Sequence, residues 1–151
     1  SATELKVEDL TIQVASGSAN SSASDGAGLK IDGADKSMTW SHGDQAFKFD
    51  ADLYAAAGLS GRLHSISTAT TLTQNHFLVK VDTSGGAVTV TLPSSMPTGK
   101  VFVIKQAGHA SNAVTIDTAG SETIDGAASI SLGSAYGAAN LMFDGSNYLI
   151  W

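Results

Sequence analysis

The sequence predicts an all-β protein, a short N-terminal β-region followed by a β-sandwich or jelly-roll-like domain. Three observations carry that class. Residues 88–151 break into six short apolar or alternating segments at regular spacing, separated by Gly, Asn, Asp and Ser. Helical spacing occurs in one stretch only, 51–67. The first third scatters single large apolar residues over very short strand-like segments, too few to build a core of their own.

Taken in order, Leu10, Ile12 and Val14 alternate, and Leu5 and Val7 do so out of phase with them, which predicts one or two short strands. Residues 15–27 are Ser, Ala, Gly, Asn and Asp, a turn-rich connector. Short strands follow at Gly28-Leu29-Lys30-Ile31, Ser37-Met38-Thr39-Trp40-Ser41 and Gln45-Ala46-Phe47-Lys48-Phe49. This region is either packed on the main domain or covered by other chains, and three copies wound together would bury its apolar residues against one another. In 51–67, Leu59, Leu63 and Ile66 sit at i, i+4 and i+7, while Gly58 and Gly61 limit any helix to a short turn or linker.

The domain boundary is expected near Thr68, giving an N-terminal region 1–67 and a C-terminal domain 68–151. His76-Phe77-Leu78-Val79-Lys80-Val81-Asp82 reads as a strong strand ending in a hairpin-type turn at Ser84-Gly85-Gly86. Val88, Val90 and Leu92 then share one face until Pro93 removes a ladder donor. Lys100-Val101-Phe102-Val103-Ile104-Lys105 is a near-continuous apolar run, the pattern of a central strand covered on both faces. Strands at 113–117, 129–132, 140–143 and 148–151 complete the domain. Ile31-Asp32-Gly33, Ile124-Asp125-Gly126 and Phe143-Asp144-Gly145 echo one another at irregular intervals, which is turn chemistry and not a solenoid repeat.

Composition narrows the function. The chain has 151 residues and a formal charge of -6, and its eight Lys and Arg never cluster, which argues against a nucleic-acid partner or an anionic membrane surface. It has no cysteine, so disulfides and thiolate metal sites are excluded. Only 15% of residues are charged, with Gly, Ala, Ser and Thr in their place, a surface suited to extracellular or particle-borne β-structure. The sequence starts abruptly in a strand-like pattern, which reads as a cut inside a longer protein.

No constellation in the sequence carries catalysis. His42, His64, His76 and His109 are far apart and form no paired motif, so no metal site is expected. The loop aspartates lack the spacing of a calcium loop and read as turn formers. Asp117 and Glu122 stand out no more than any other carboxylate pair. Gly133-Ser134-Ala135-Tyr136-Gly137 lacks the register of a nucleophile elbow. The expectation is a non-enzyme without cofactor. Tyr136, between Gly133 and Gly137, offers an aromatic face with a polar handle that suits stacking on a sugar ring; the plainer reading is a loop aromatic tucked over the sandwich edge. The loop Ala107-Gly108-His109-Ala110-Ser111-Asn112 is a recognition loop on a rigid scaffold, so His109, Asn112 and Tyr136 are the candidate receptor-binding residues.

Thr91-Leu92-Pro93, Gly99-Lys100-Val101-Phe102-Val103-Ile104-Lys105, Val114-Thr115-Ile116, Glu122-Thr123-Ile124-Asp125-Gly126 and Phe143-Asp144-Gly145-Ser146-Asn147-Tyr148 together resemble the C-terminal β-domain of tailed-bacteriophage tail fibres and related virion proteins. Asp25-Gly26-Ala27-Gly28-Leu29-Lys30-Ile31-Asp32-Gly33, with Trp40 and Phe47-Lys48-Phe49, is similar to a short module of structural proteins in cyanophage-like viruses. The resemblance implies a parallel homotrimer with intertwined β-structure upstream and a trimeric knob at the end. It implies a place on the virion tail beside other tail proteins, and attachment to a host polysaccharide or outer-membrane protein. A glycan-depolymerising tailspike-like enzyme and a purely structural virion component are the alternatives. The His-x-His pattern of iron-binding fibre tips is absent, and no binding residue carries over.

Overall fold

The computed structural model describes residue 8, residues 10–108 and residues 111–151. The chain is all-β, apart from single 3-10 turns at Ser22–Ser24 and Asp32–Ala34. It divides into two units, Ser1–Gly58 and Leu59–Trp151. The division falls before Thr68, because the stretch with helical spacing forms no helix: Leu63–Ile66 is a strand of the second unit. Gly58, in a left-handed conformation at φ +91°, ends a turn there, and Leu59 and Leu63 both stay exposed, so the spacing never became a buried stripe.

In the first unit, β1 (Gly28–Ile31), β2 (Lys36–Ser41) and β3 (Ala46–Phe49) form an antiparallel meander. Leu29 pairs with Met38, Met38 with Phe49 and Trp40 with Phe47, so alternation puts every large apolar side chain on one face. Gly28 is needed at the crossing, since a Cβ there would overlap the Met38 carbonyl oxygen. Leu10, Ile12 and Val14 do not extend this sheet: within the described residues the predicted N-terminal strand is absent, and Leu5 and Val7 lie outside them. None of the described residues up to Gly58 is buried.

The second unit is a sandwich. β4 (Leu63–Ile66), β6 (Leu78–Asp82), β8 (Val101–Ala107), β11 (Ala138–Phe143) and β12 (Tyr148–Ile150) make a five-stranded sheet in the order β12-β11-β8-β6-β4. β5 (Thr70–Thr71), β7 (Val88–Leu92), β9 (Val114–Thr118) and β10 (Ser129–Leu132) make a four-stranded sheet in the order β10-β9-β7-β5. From β4 to β9 the chain alternates between the sheets, and each strand pairs in parallel with the next one in its own sheet. The result is a flattened parallel coil closed by antiparallel β10, β11 and β12. A jelly roll, in contrast, is antiparallel throughout.

Two expectations change with this topology. The Ser84-Gly85-Gly86 turn is a corner that carries the chain from one sheet to the other, not a hairpin. The coil also escapes detection as a repeat because its rungs differ in length. Leu63 pairs with Leu78 and Leu78 with Val103, while Thr70 pairs with Val90 and Val90 with Ile116. The Asp-Gly echo is turn chemistry, as expected: Asp144 Oδ1 accepts the backbone N–H groups of Ser146 (2.8 Å) and Asn147 (2.7 Å).

Inward residues of both sheets form one core, with Val79, Val81, Phe102, Ile104 and Leu141 facing Val88, Val90, Leu92, Val114 and Ile116. Tyr148 lies among them, packed on Phe143 at a centroid distance of 5.1 Å. Its hydroxyl donates to the Pro93 carbonyl. Burial, and then the charge of Glu122, push its pKa above the ordinary tyrosine range.

Candidate functional site

Three connections meet at one end of the sandwich, through residues 83–87, residues 108 and 111–113, and residues 133–137. Parallel β6 and β8 both finish there and antiparallel β11 starts there, so the coil itself gathers these loops. Gln106, the last inward residue of β8, is fully buried and ties them together. Its Nε2 donates to the Asn112 carbonyl (2.6 Å), and its backbone N–H donates to the Gly137 carbonyl (2.9 Å). Asn112 Nδ2 in turn donates to the carbonyl of Thr83 (2.7 Å), also fully buried. Gly108 lies so close to this bracket that a Cβ would come within 2.6 Å of Thr83 Oγ1. Hydrogen bonds at this depth make a rigid base, since breaking one would leave a buried partner unpaired.

The three residues singled out from the sequence have different fates. Asn112 belongs to the bracket, its amide group held by Thr83 and half-buried, so it braces the loops and does not project from them. His109 lies outside the described residues. Tyr136 projects: it is 68% exposed, and the alternative of a ring tucked over the sandwich edge does not hold. Its backbone is left-handed at φ +61°, a conformation costing an ordinary side chain roughly 1–2 kcal/mol. The Lys105 ammonium donates to its carbonyl and the Gly137 N–H to Ser134 O (2.9 Å), which helps hold the strained turn. Tyr136 is thus an exposed aromatic on a strained, braced turn.

The opposite end of the same coil holds a pair that sequence spacing does not reveal. His64 on β4 and His76 before β6 lie against each other, their rings tilted by 45° at a centroid distance of 4.3 Å. Thr73 N–H donates to His76 Nδ1 (3.0 Å). Lys100 donates to Gln74 O (2.7 Å) and lies 5.1 Å from the Phe102 ring centroid. Burial, then His64, then the cations Lys100 and Arg62 hold His76 below the ordinary histidine value. Parallel pairing of strands far apart in sequence creates this pair. No group of three or more metal-binding side chains gathers among the described residues. Asp117 Oδ1 is engaged by the Thr118 backbone N–H (2.8 Å), and Glu122 is half-buried beside Tyr148. Comparison with protein-family models gives no match for the chain, and comparison with curated proteins gives none either.

Proposed function

We propose that the chain belongs to a homotrimeric fibre or fibre-like protein on a virion tail, a non-enzymatic protein that attaches the particle to a host-surface polysaccharide or outer-membrane protein. The observation that carries this reading is the first unit. Its apolar face leaves Leu29 57%, Phe47 59% and Phe49 45% exposed, and a cavity of about 600 Å³ opens on it between Ile12, Val14, Leu29, Met38, Trp40 and Phe47. A three-stranded sheet whose apolar face stays this exposed does not stand alone in water. Sister chains supply the missing layer, as in an intertwined trimer. The braced loop end then acts as the receptor surface with Tyr136 at its tip, and three copies on one body turn weak sugar contacts into avidity.

Light scattering on the gel-filtered protein tests the assembly. Three times the chain mass of 15.3 kDa is expected, and a single-chain mass would overturn the intertwined region. Binding to host cells tests the function. Tyr136→Ala is expected to weaken attachment while leaving the mass unchanged, and full attachment by that variant would remove Tyr136 from the contact surface.

A further inference from the structure

The second unit has two outer faces, and they are chemically opposite. The four-stranded sheet turns Thr89, Thr91, Thr115, Asp117, Ser129 and Ser131 outward, a face built for water. On the five-stranded sheet, one row runs across four strands, β4, β6, β8 and β11, to the residue that follows β12. Leu63 pairs with Leu78, Leu78 with Val103 and Val103 with Asn140, and the Trp151 N–H donates to Asn140 O (3.3 Å) at the far side. A second row, Val101, Met142 and Leu149, lies beside it. Leu63 is 59% and Trp151 71% exposed, and a cavity of about 440 Å³ opens between Phe77, Val101, Val103, Asn140 and Trp151.

We infer that this outer face is where the second units of sister copies meet, an inference that rests on the oligomer proposed above. Three observations select a copy of the chain as the occupant. The 101–105 run has the composition of a strand buried on both faces, yet this chain covers only Phe102 and Ile104, leaving Val101 and Val103 half-buried. The patch holds Trp, Phe and Met and no carboxylate, the composition of an interface centre. A small ligand in the cavity would leave Leu63 and Leu78 uncovered, whereas another sheet covers the whole row.

Charge then orients the contact. Lys80 and Lys105 are directly paired on this same face, and neither has a carboxylate within ion-pair distance among the described residues. Two such rows facing each other across a copy-to-copy contact would repel. The lysines therefore form the rim on the side of the Tyr136 loop, and the copies meet through the Leu63–Trp151 row and the Val101–Leu149 row.

Because the chain has no cysteine, single-cysteine variants read this directly. Asn140→Cys lies on the apolar face and Thr89→Cys on the hydroxyl face, both positions exposed in one chain. In the assembled protein, maleimide is expected to label Asn140→Cys roughly tenfold or more slowly than Thr89→Cys, and the two should match in denaturant. Equal native rates with a multimeric mass would leave the oligomer standing and overturn this face as its contact. A single-chain mass for the unmodified protein would overturn both. Val103→Lys is the second probe: with the β-fold retained by circular dichroism, it should raise the dissociation concentration by about tenfold or more. No change in that concentration would overturn the inference.

Discussion

The two units use the same local grammar with opposite outcomes. In both, short strands alternate apolar and polar side chains, as β1 does in the first unit and β7 in the second. In the second unit the apolar faces of two sheets close on each other, and Val81, Val90, Leu92, Phe102, Ile104, Ile116 and Leu141 lose all contact with water. In the first unit there is one sheet, and on its apolar face Leu29, Phe47 and Phe49 stay exposed. Alternation states which face is apolar; it does not state what covers it. A layer needs a second layer, supplied by the same chain or by another.

The largest test of that contrast sets a core residue of one unit against an apolar residue of the other. Phe102→Ala should cost about 3–5 kcal/mol in denaturant unfolding, because its ring lies within a core closed by this chain. Trp40→Ala should act on association. Its ring meets Phe47 edge-on at 5.6 Å, and its indole N–H donates to Ser21 Oγ (3.0 Å), but its main burial is expected from sister chains. The concentration at which the mass falls should rise, with little change in the unfolding midpoint of the dissociated chain. If Trp40→Ala destabilises the dissociated chain as much as Phe102→Ala, the contrast between the units is broken.

How far the sequence could be read follows the same division. Local pattern located β1, β2, β3, β6 and β7 and most of the later strands within a few residues, because alternation and turn residues are short-range signals. The parallel coil was not legible, since its rungs have unequal lengths and the pairing of Leu63 with Leu78 leaves no local trace. For the same reason β4 passed for helical spacing, and His64 and His76 looked unrelated. Within the candidate site, the flanking glycines place Tyr136 in a loop but do not decide between a projecting ring and a tucked one. Its left-handed backbone and the role of Asn112 as a brace depend on Gln106 and Thr83, which reach the loops only through the fold.

A smaller effect separates recognition from stability within the second unit. At φ +61°, Tyr136 holds a conformation that glycine adopts without penalty. Tyr136→Gly should therefore raise stability, or at worst leave it unchanged, by up to about 1 kcal/mol after the added freedom of the unfolded chain is counted. Host-cell attachment should fall in the same variant. A clear loss of stability, measured by urea denaturation, would mean that the ring packs on its loop, and the strain would then be structural.

The smallest effect is set by pH, and it distinguishes the units by where it falls. The folded state holds His76 below its ordinary value of 6.5, first through burial and then through His64, Lys100 and Arg62. Folding therefore favours the neutral ring. The stabilisation is complete above the unfolded value and is lost as pH falls through the folded one, because the unfolded chain takes up the proton more readily. The strain lands on β4, an edge strand paired with β6 alone. In the first unit the depressed groups are carboxylates. Asp50, fully exposed, accepts Ser37 N–H (2.8 Å) and Ser37 Oγ–H (3.0 Å), and Asp44 is engaged by Lys48 and Ser41. Their contribution is present above the ordinary value of 3.8 and lost only below it. Between about pH 7.5 and about pH 5.5 the second unit should thus lose a little stability by urea denaturation while the first is unaffected. His76→Gln should flatten that slope, since an amide does not titrate, and a slope unchanged in this variant would assign the pH response to another group.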